Sequence, residues 1–254
     1  SFAADSLFRM RGAKNKLVGL TLDAGAPAGA SQWVSCVLLD DGGTTDCAIK
    51  DCTLVDASFC GIAMFDDSVT HLRLSITGNR ISNIGWHPIC IYATNYCDIK
   101  DNYIERCGYS AIMLYGGSNN SVCRNFITKA TAPYRVYDGA GSLGGVERGF
   151  LIGYAPACED TLIDGNICVD NRNAEFDGIG LGEDGTEHGR CVISNNIVYR
   201  TGLFGIDAAA SSVITGNVIE ESASSGIFIG LDLGGPLRSC IVSSNIIRNS
   251  GGPY

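Results

Sequence analysis

Ile99-Lys-Asp-Asn102-Tyr-Ile104 is the stretch whose reading decides the fold. An aliphatic residue is followed by two residues, an Asn, one residue and a second aliphatic. The same order returns at Ile76-Thr-Gly-Asn79-Arg-Ile81, Val122-Cys-Arg-Asn125-Phe-Ile127 and Ile163-Asp-Gly-Asn166-Ile-Cys168. It returns again at Ile193-Ser-Asn-Asn196-Ile-Val198, Ile214-Thr-Gly-Asn217-Val-Ile219 and Val242-Ser-Ser-Asn245-Ile-Ile247. Two weaker copies come first, Leu17-Val-Gly-Leu20-Thr-Leu22 and Ile49-Lys-Asp-Cys52-Thr-Leu54. A fixed kernel repeated at irregular spacings of 21 to 41 residues means a constant scaffold carrying loops of variable length.

Within each kernel the period is two, the period of a strand. A second element lies between kernels, a short apolar strand opened by a small residue. Examples are Gly61-Ile-Ala-Met-Phe65, Pro88-Ile-Cys-Ile-Tyr92, Ala111-Ile-Met-Leu-Tyr115 and Gly205-Ile-Asp-Ala-Ala209. Three short strands per repeat, with no helical periodicity, bury an apolar side only by stacking on the next repeat. The expectation is an all-β parallel solenoid of three short sheets and about nine coils, one domain over residues 1–254. The turn before the third strand needs a residue that tolerates left-handed backbone and satisfies orphan amides, and the asparagines are read as a stacked ladder there.

Composition narrows the partners. Asp and Glu number 27 against 18 Lys and Arg, a net charge of −9, which argues against a nucleic-acid partner, since that needs clustered positive charge. No run of 18 apolar residues occurs, so no membrane-spanning helix is predicted. Ser1-Phe2-Ala3-Ala4-Asp5 shows no basic stretch leading into an apolar core, the pattern of a secretory signal. The 12 cysteines include no Cys-x-x-Cys and no zinc-like Cys/His spacing, so no metal site is expected. Cys47, Cys97, Cys191 and Cys240 each sit five residues before a kernel anchor, on the inward parity. Cys47 and Cys97, like Cys191 and Cys240, lie two coils apart, roughly 10 Å, too far for a disulfide. Reduced, core-filling thiols are the expectation. Leu7-Phe-Arg-Met10 reads as a first-sheet strand, and Asn249–Tyr254 stops before another would begin, which suggests a segment of a longer chain or an end covered by association.

The Asn kernel, the Gly-Ile-x-Leu strand and the coil length resemble the pectin-lyase-like right-handed parallel β-helix superfamily, from about Leu7 to Asn249. That superfamily includes polysaccharide lyases, glycoside hydrolases, uronate epimerases, phage tailspikes and non-catalytic adhesins. The resemblance implies a right-handed helix, a polysaccharide partner, a binding cleft along the first sheet and an extracellular or virion-associated setting. Fold identifies a scaffold rather than an activity.

With Ile62, Ile89, Ile112, Leu151, Ile179, Ile206 and Ile227 inward, alternation turns Phe65, Tyr92, Tyr115 and Tyr154 outward in one column. Such rings suit the C–H faces of sugars, with the phenols adding polar handles. A parallel outward row holds Ala63, Cys90, Met113, Ile152, Gly180, Asp207 and Phe228. The long insertion at 129–148 precedes the strand of Tyr154 and carries Arg135, Glu147 and Arg148; long loops in compact repeats are more often functional than not. Glycosidic hydrolysis needs two carboxyl groups, for which Glu147, Asp177 and Asp207 are the candidates. Phe65, Tyr92, Tyr115, Tyr154, His87, Arg135 and Arg148 are the candidate substrate contacts.

A lyase or epimerase needs a base and a cation beside a uronate, roles open to His87, Tyr92, Arg135 and Arg148. The epimerase Asp-Pro-His and the polygalacturonase Gly-His-Gly are both absent, and lysines number five. Hydrolysis is therefore the preferred reading. The alternatives are a non-catalytic carbohydrate-binding or fibre segment, and a lyase or epimerase. No cofactor is expected, with calcium entering only for a lyase, through Asp40, Asp41, Asp66 and Asp67. An outward apolar stripe of Ile167, Ile197, Val218 and Ile246 points to a homotrimer.

Overall fold

Every regular element of the computed structural model is a strand, and it describes residues 5–25, 33–39, 44–65, 71–130, 149–171, 176–181, 190–208, 211–229 and 239–251. Residues 129–130, 149–159, 171 and 176 are described through their backbone. The strands form three sheets of nine, plus a two-stranded sheet of Thr94–Asn95 with His71–Leu72. All pairings are parallel, each strand bonding its counterparts one coil before and one coil after, as in the register Arg80↔Tyr103, Ile81↔Ile104. Coils are numbered here by their first-sheet strands. These are Asp5–Met10, Val34–Leu39, Ile62–Met64, Ile89–Tyr92, Ile112–Ser118, Gly149–Glu159, Phe176–Leu181, Ile206–Ala208 and Ile227–Ile229.

The aliphatics at the two ends of the kernel face the lumen. From the second sheet come Leu17, Ile49, Ile76, Ile99, Val122, Ile163, Ile193 and Ile214, all buried. The third supplies Leu54, Ile81, Ile104, Ile127, Cys168, Val198 and Ile219, and the first Val37, Ile62, Ile89, Ile112, Ile179 and Ile206. Each buried aliphatic contributes roughly 1.5–3 kcal/mol, so every added coil extends one continuous apolar column. In the last described coil Val242 and Ile247 are 46% and 47% exposed, while their neighbours Ile214 and Ile219 one coil earlier are fully buried.

The asparagines form the expected ladder. Asn102 Nδ2 donates to Asn125 Oδ1 at 2.9 Å and to Ile76 O at 3.0 Å, and its backbone N–H donates to the same Oδ1 at 3.1 Å. The pattern runs unbroken through Asn79, Asn102, Asn125, Asn166, Asn196, Asn217 and Asn245. It stops at Cys52, whose amide donates to Asn79 Oδ1. One detail differs from expectation: the left-handed backbone belongs to the residue before each Asn, and before Cys52 in the equivalent place. Asp51, Gly78, Asp101, Arg124, Gly165, Asn195, Gly216 and Ser244 all have φ between 53° and 68°. Turn geometry and amide satisfaction are thus divided between two adjacent residues.

Of the 12 cysteines, 11 are described as free thiols, ten of them buried. Burial pushes Cys36 and Cys168 up to about 12 and raises Cys97 and Cys107 as well, which makes them inert apolar filling.

Candidate functional site

Each first-sheet strand is entered through a bend at a small residue, and that bend decides what faces outward. A Cβ at Gly61, Gly178 or Gly205 would collide with the buried side chains of Ile81, Val198 or Ile219. These glycines therefore occupy an inward position too narrow for any side chain. The residue before each one, Cys60, Asp177 or Phe204, is turned to the outer face. Register then gives the outward row Ala63, Cys90, Met113, Gly153, Gly180, Asp207 and Phe228.

Over coils 3 to 5 this face is sheathed in rings. Trp33 stacks on Phe59 at 4.9 Å between centroids, and Phe59 on Trp86 at 4.8 Å. Phe65 meets Tyr92 edge-on at 5.7 Å, and Tyr92 stacks on Tyr115 at 4.3 Å with 17° between planes. Together they cover Ala63, Cys90 and Met113, forming an apolar cluster outside the lumen. Phe65, Trp86, Tyr92 and Tyr115 are each half-buried, so ring surface remains open to solvent.

Over coils 6 to 8 the same row first lacks side chains and then turns acidic. Gly153 and Gly180 contribute no side chain, and Asp207 follows. A diagonal contact recurs between the residue before the bend and the outward-row residue one coil later. It joins Cys60 to Cys90, whose thiols share a hydrogen bond, and Phe204 to Phe228, whose rings stack at 4.7 Å and 7°. Asp177 and Asp207 occupy that diagonal between coils 7 and 8. Asp177 is fully buried and its Oδ1 accepts the Phe204 amide at 2.7 Å; Asp207 is 7% exposed. Among the described residues, no group of three or more His, Cys, Asp or Glu is placed to hold a metal ion.

Residues 35–206 match the family model of the right-handed β-helix region. The chain belongs to the right-handed β-helix family. No curated protein sequence matches it. Among solved structures, DFA-IIIase from Arthrobacter chlorophenolicus, crystallised without its lid, is 16% identical over 99% of this chain, with a TM-score of 0.60. A periplasmic alginate epimerase, AlgG, is 15% identical over 94% with a TM-score of 0.57. The catalytic domain of a GH87 α-1,3-glucanase in complex with nigerose is 16% identical over 94%, with a TM-score of 0.51. The β-helix described here spans 55%, 60% and 55% of the lengths of those three chains.

On this β-helix the expected aromatic column holds for three of its four members. Phe65, Tyr92 and Tyr115 are neighbours, but Tyr154 is in register with Leu114 and Leu181, and Ala155 takes the place beside Tyr115. The expectation aligned Leu151 with Ile112, whereas Ile152 holds that place, a slip of one residue that moves the whole strand to the other parity. For the same reason Gly153 replaces Ile152 in the outward row.

His87 lies among these rings. It is fully buried between Trp86 and Tyr109, with Nδ1 2.8 Å from the Ser110 carbonyl oxygen, and burial pushes it down to about 4. A neutral imidazole packed in this way supports the aromatic sheath. Glu147, Arg135 and Arg148 lie outside the described residues, as do the turn acids Asp40, Asp41, Asp66 and Asp67. The side chain of Tyr154 is likewise outside them.

Trp33, Phe59 and the Phe204–Phe228 stack were missed from sequence. A signal existed for part of this: an aromatic stands two residues before the small residue in Phe59-Cys-Gly61, Trp86-His-Pro88 and Tyr109-Ser-Ala111. The apolar stripe on the third sheet is present. Ile167, Ile197, Val218 and Ile246 are in register, with Ile197 and Ile246 43% and 46% exposed. Phe126 and Tyr103 extend it, stacked at 5.4 Å under the Arg80 guanidinium. No helix of the described residues is long and apolar enough to cross a membrane.

Proposed function

We propose that this β-helix protein binds a polysaccharide along the outer face of its first sheet and cleaves it by hydrolysis, with Asp177 and Asp207 as the acid pair. The observation that carries the reading is the diagonal these two acids occupy, beside Gly153 and Gly180, which place no side chain in the same outward row. Hydrolysis needs one carboxyl to protonate the leaving oxygen and another to activate water or attack the anomeric carbon. Asp177 suits a fixed role, since the Phe204 amide holds its Oδ1 in place. Glu147 remains a third candidate acid. The α-1,3-glucanase and the alginate epimerase that share this fold act, by their names, on glycans, in keeping with the reading.

The test is depolymerisation of a panel of neutral and acidic polysaccharides. New reducing ends and unsaturated-uronate absorbance are followed in parallel, with and without chelator. Reducing ends alone, lost in Asp177→Asn and Asp207→Asn, support the proposal. Absorbance overturns hydrolysis in favour of a lyase, and calcium is implicated if chelator stops it.

A second reading, a non-catalytic binding or fibre segment assembled as a homotrimer, is favoured by the third-sheet stripe, whose Ile197 and Ile246 stand in water. Silence on the panel together with a trimeric mass in solution would select it.

A further inference from the structure

We infer that the glycan bound on this face is uncharged, and that two separate aromatic stations, one on each side of Gly153 and Gly180, hold it there. The inference rests on the carbohydrate reading above and adds the substrate class and the residues that select it.

The first station is the half-buried Tyr92–Tyr115 stack with Phe65 and Trp86, over coils 3 to 5. The second is the Phe204–Phe228 stack at coils 8 and 9, its rings nearly parallel and half-buried. Gly153 and Gly180 lie between the two. From the Tyr115 coil to the Phe228 coil is four steps, about 19 Å at ~4.8 Å per coil, the length of several sugar rings in a row. Ring stacking on sugar C–H faces gives affinity without charge, and each packed ring is worth a few-fold in binding.

Electrostatics selects among glycans. A polyuronate brings one carboxylate per sugar and needs cations to receive it. Here Asp177 and Asp207 lie just beneath the face, 0% and 7% exposed, within a chain of net charge −9. Of the nine described arginines five are paired elsewhere, Arg73 with Asp46, Arg80 with Glu105, Arg124 with Asp101, Arg190 with Asp160 and Arg200 with Asp170, while Arg106 and Arg248 stand on the third sheet and Arg9 and Arg11 belong to coil 1; Arg135 and Arg148 lie outside the described residues. Lys50 and Lys100 stand on the second sheet, the latter paired to Asp98. A like-charged chain laid along the acids is repelled, and the repulsion is strongest at low salt.

The experiment compares binding of neutral gluco-oligosaccharides and oligogalacturonates of matched length by calorimetry, at low and high salt. Neutral oligomers are expected to bind with little salt dependence, and oligogalacturonates at least tenfold more weakly at low salt. Tyr115→Ala and Phe228→Ala should each weaken neutral binding about three- to tenfold. Tyr115→Phe and Phe228→Tyr, which keep the rings and guard against misfolding, should retain it. Tighter binding of oligogalacturonates overturns the inference, as does neutral binding unaffected by either alanine variant, or no binding of either series. Failure of the acid-pair reading is distinguishable: Asp207→Asn would then keep full turnover while the alanine variants still lost affinity.

Discussion

The outer face of the first sheet is two surfaces on one backbone. In coils 3 to 5 the outward row is Ala63, Cys90 and Met113, roofed by Trp33, Phe59, Phe65, Trp86, Tyr92 and Tyr115. Three coils on, the same row reads Gly180 and Asp207, and the diagonal that held two thiols holds two carboxyls. Inside, the two regions are alike: Ile99 and Ile193, or Ile104 and Val198, fill equivalent places. The lumen constrains one face of each strand and leaves the other free to diverge, so differences on the outer face are where specialisation is to be sought.

The sharpest way to break this comparison is to neutralise the acids and their counterparts in parallel. Asp177→Asn and Asp207→Asn should lower turnover 10²–10⁴-fold, the usual worth of a positioned acid or base. Cys60→Ala and Cys90→Ala, on the equivalent diagonal, should leave turnover within about twofold. Equal effects at both diagonals would mean that position, rather than chemistry, matters.

A second contrast tests the shared interior. Asn125→Ala removes the acceptor of the buried Asn102 amide and breaks the ladder on both sides, which should cost about 3 kcal/mol in urea unfolding. Asn245→Ala, at the half-buried end of the ladder, should cost about 1 kcal/mol. Equal costs would show that the ladder is not cooperative along the stack.

A third measurement concerns the aromatic region alone. His87 is held near 4 when folded, below its unfolded value of about 6.5, so the unfolded state takes up the proton first as pH falls. Stability should therefore be full above about pH 6.5 and decline toward pH 4, by on the order of 2–3 kcal/mol between pH 7 and 4.5. His87→Asn should remove that part of the pH dependence; an unchanged profile would place the titration elsewhere. The smallest effect is expected away from both faces. Arg124→Ala, which breaks an exposed pair with Asp101, should leave both turnover and the urea midpoint unchanged within error.

Much of this architecture is legible in the sequence because its signals are local. The kernel around Asn102 spans six residues, and its repetition fixes strand type, inward aliphatics, ladder and stacking order, since each strand must meet its own copy one coil on. Burial of the cysteines at 47, 97 and 191 follows from the same parity. Phe65, Tyr92 and Tyr115 were found because their coils differ by 27 and then 23 residues without disturbing the strand that carries them.

Tertiary structure decided the rest. Whether Leu151 or Ile152 faces the lumen depends on where the chain enters the strand after the 129–148 insertion, and alternation alone permits either. Only cross-coil register separates Tyr154 from Tyr115. The bend at Gly61, Gly178 and Gly205 interrupts simple alternation, because the narrow wall there admits no side chain, and so sends Cys60, Asp177 and Phe204 outward. The burial of His87 and the meeting of Phe204 with Phe228, 24 residues apart, arise from packing between neighbouring coils. Sequence by itself determined the repeating interior, where one local rule recurs. The outer face was decided by register and bends, which depend on contacts between residues distant in the chain.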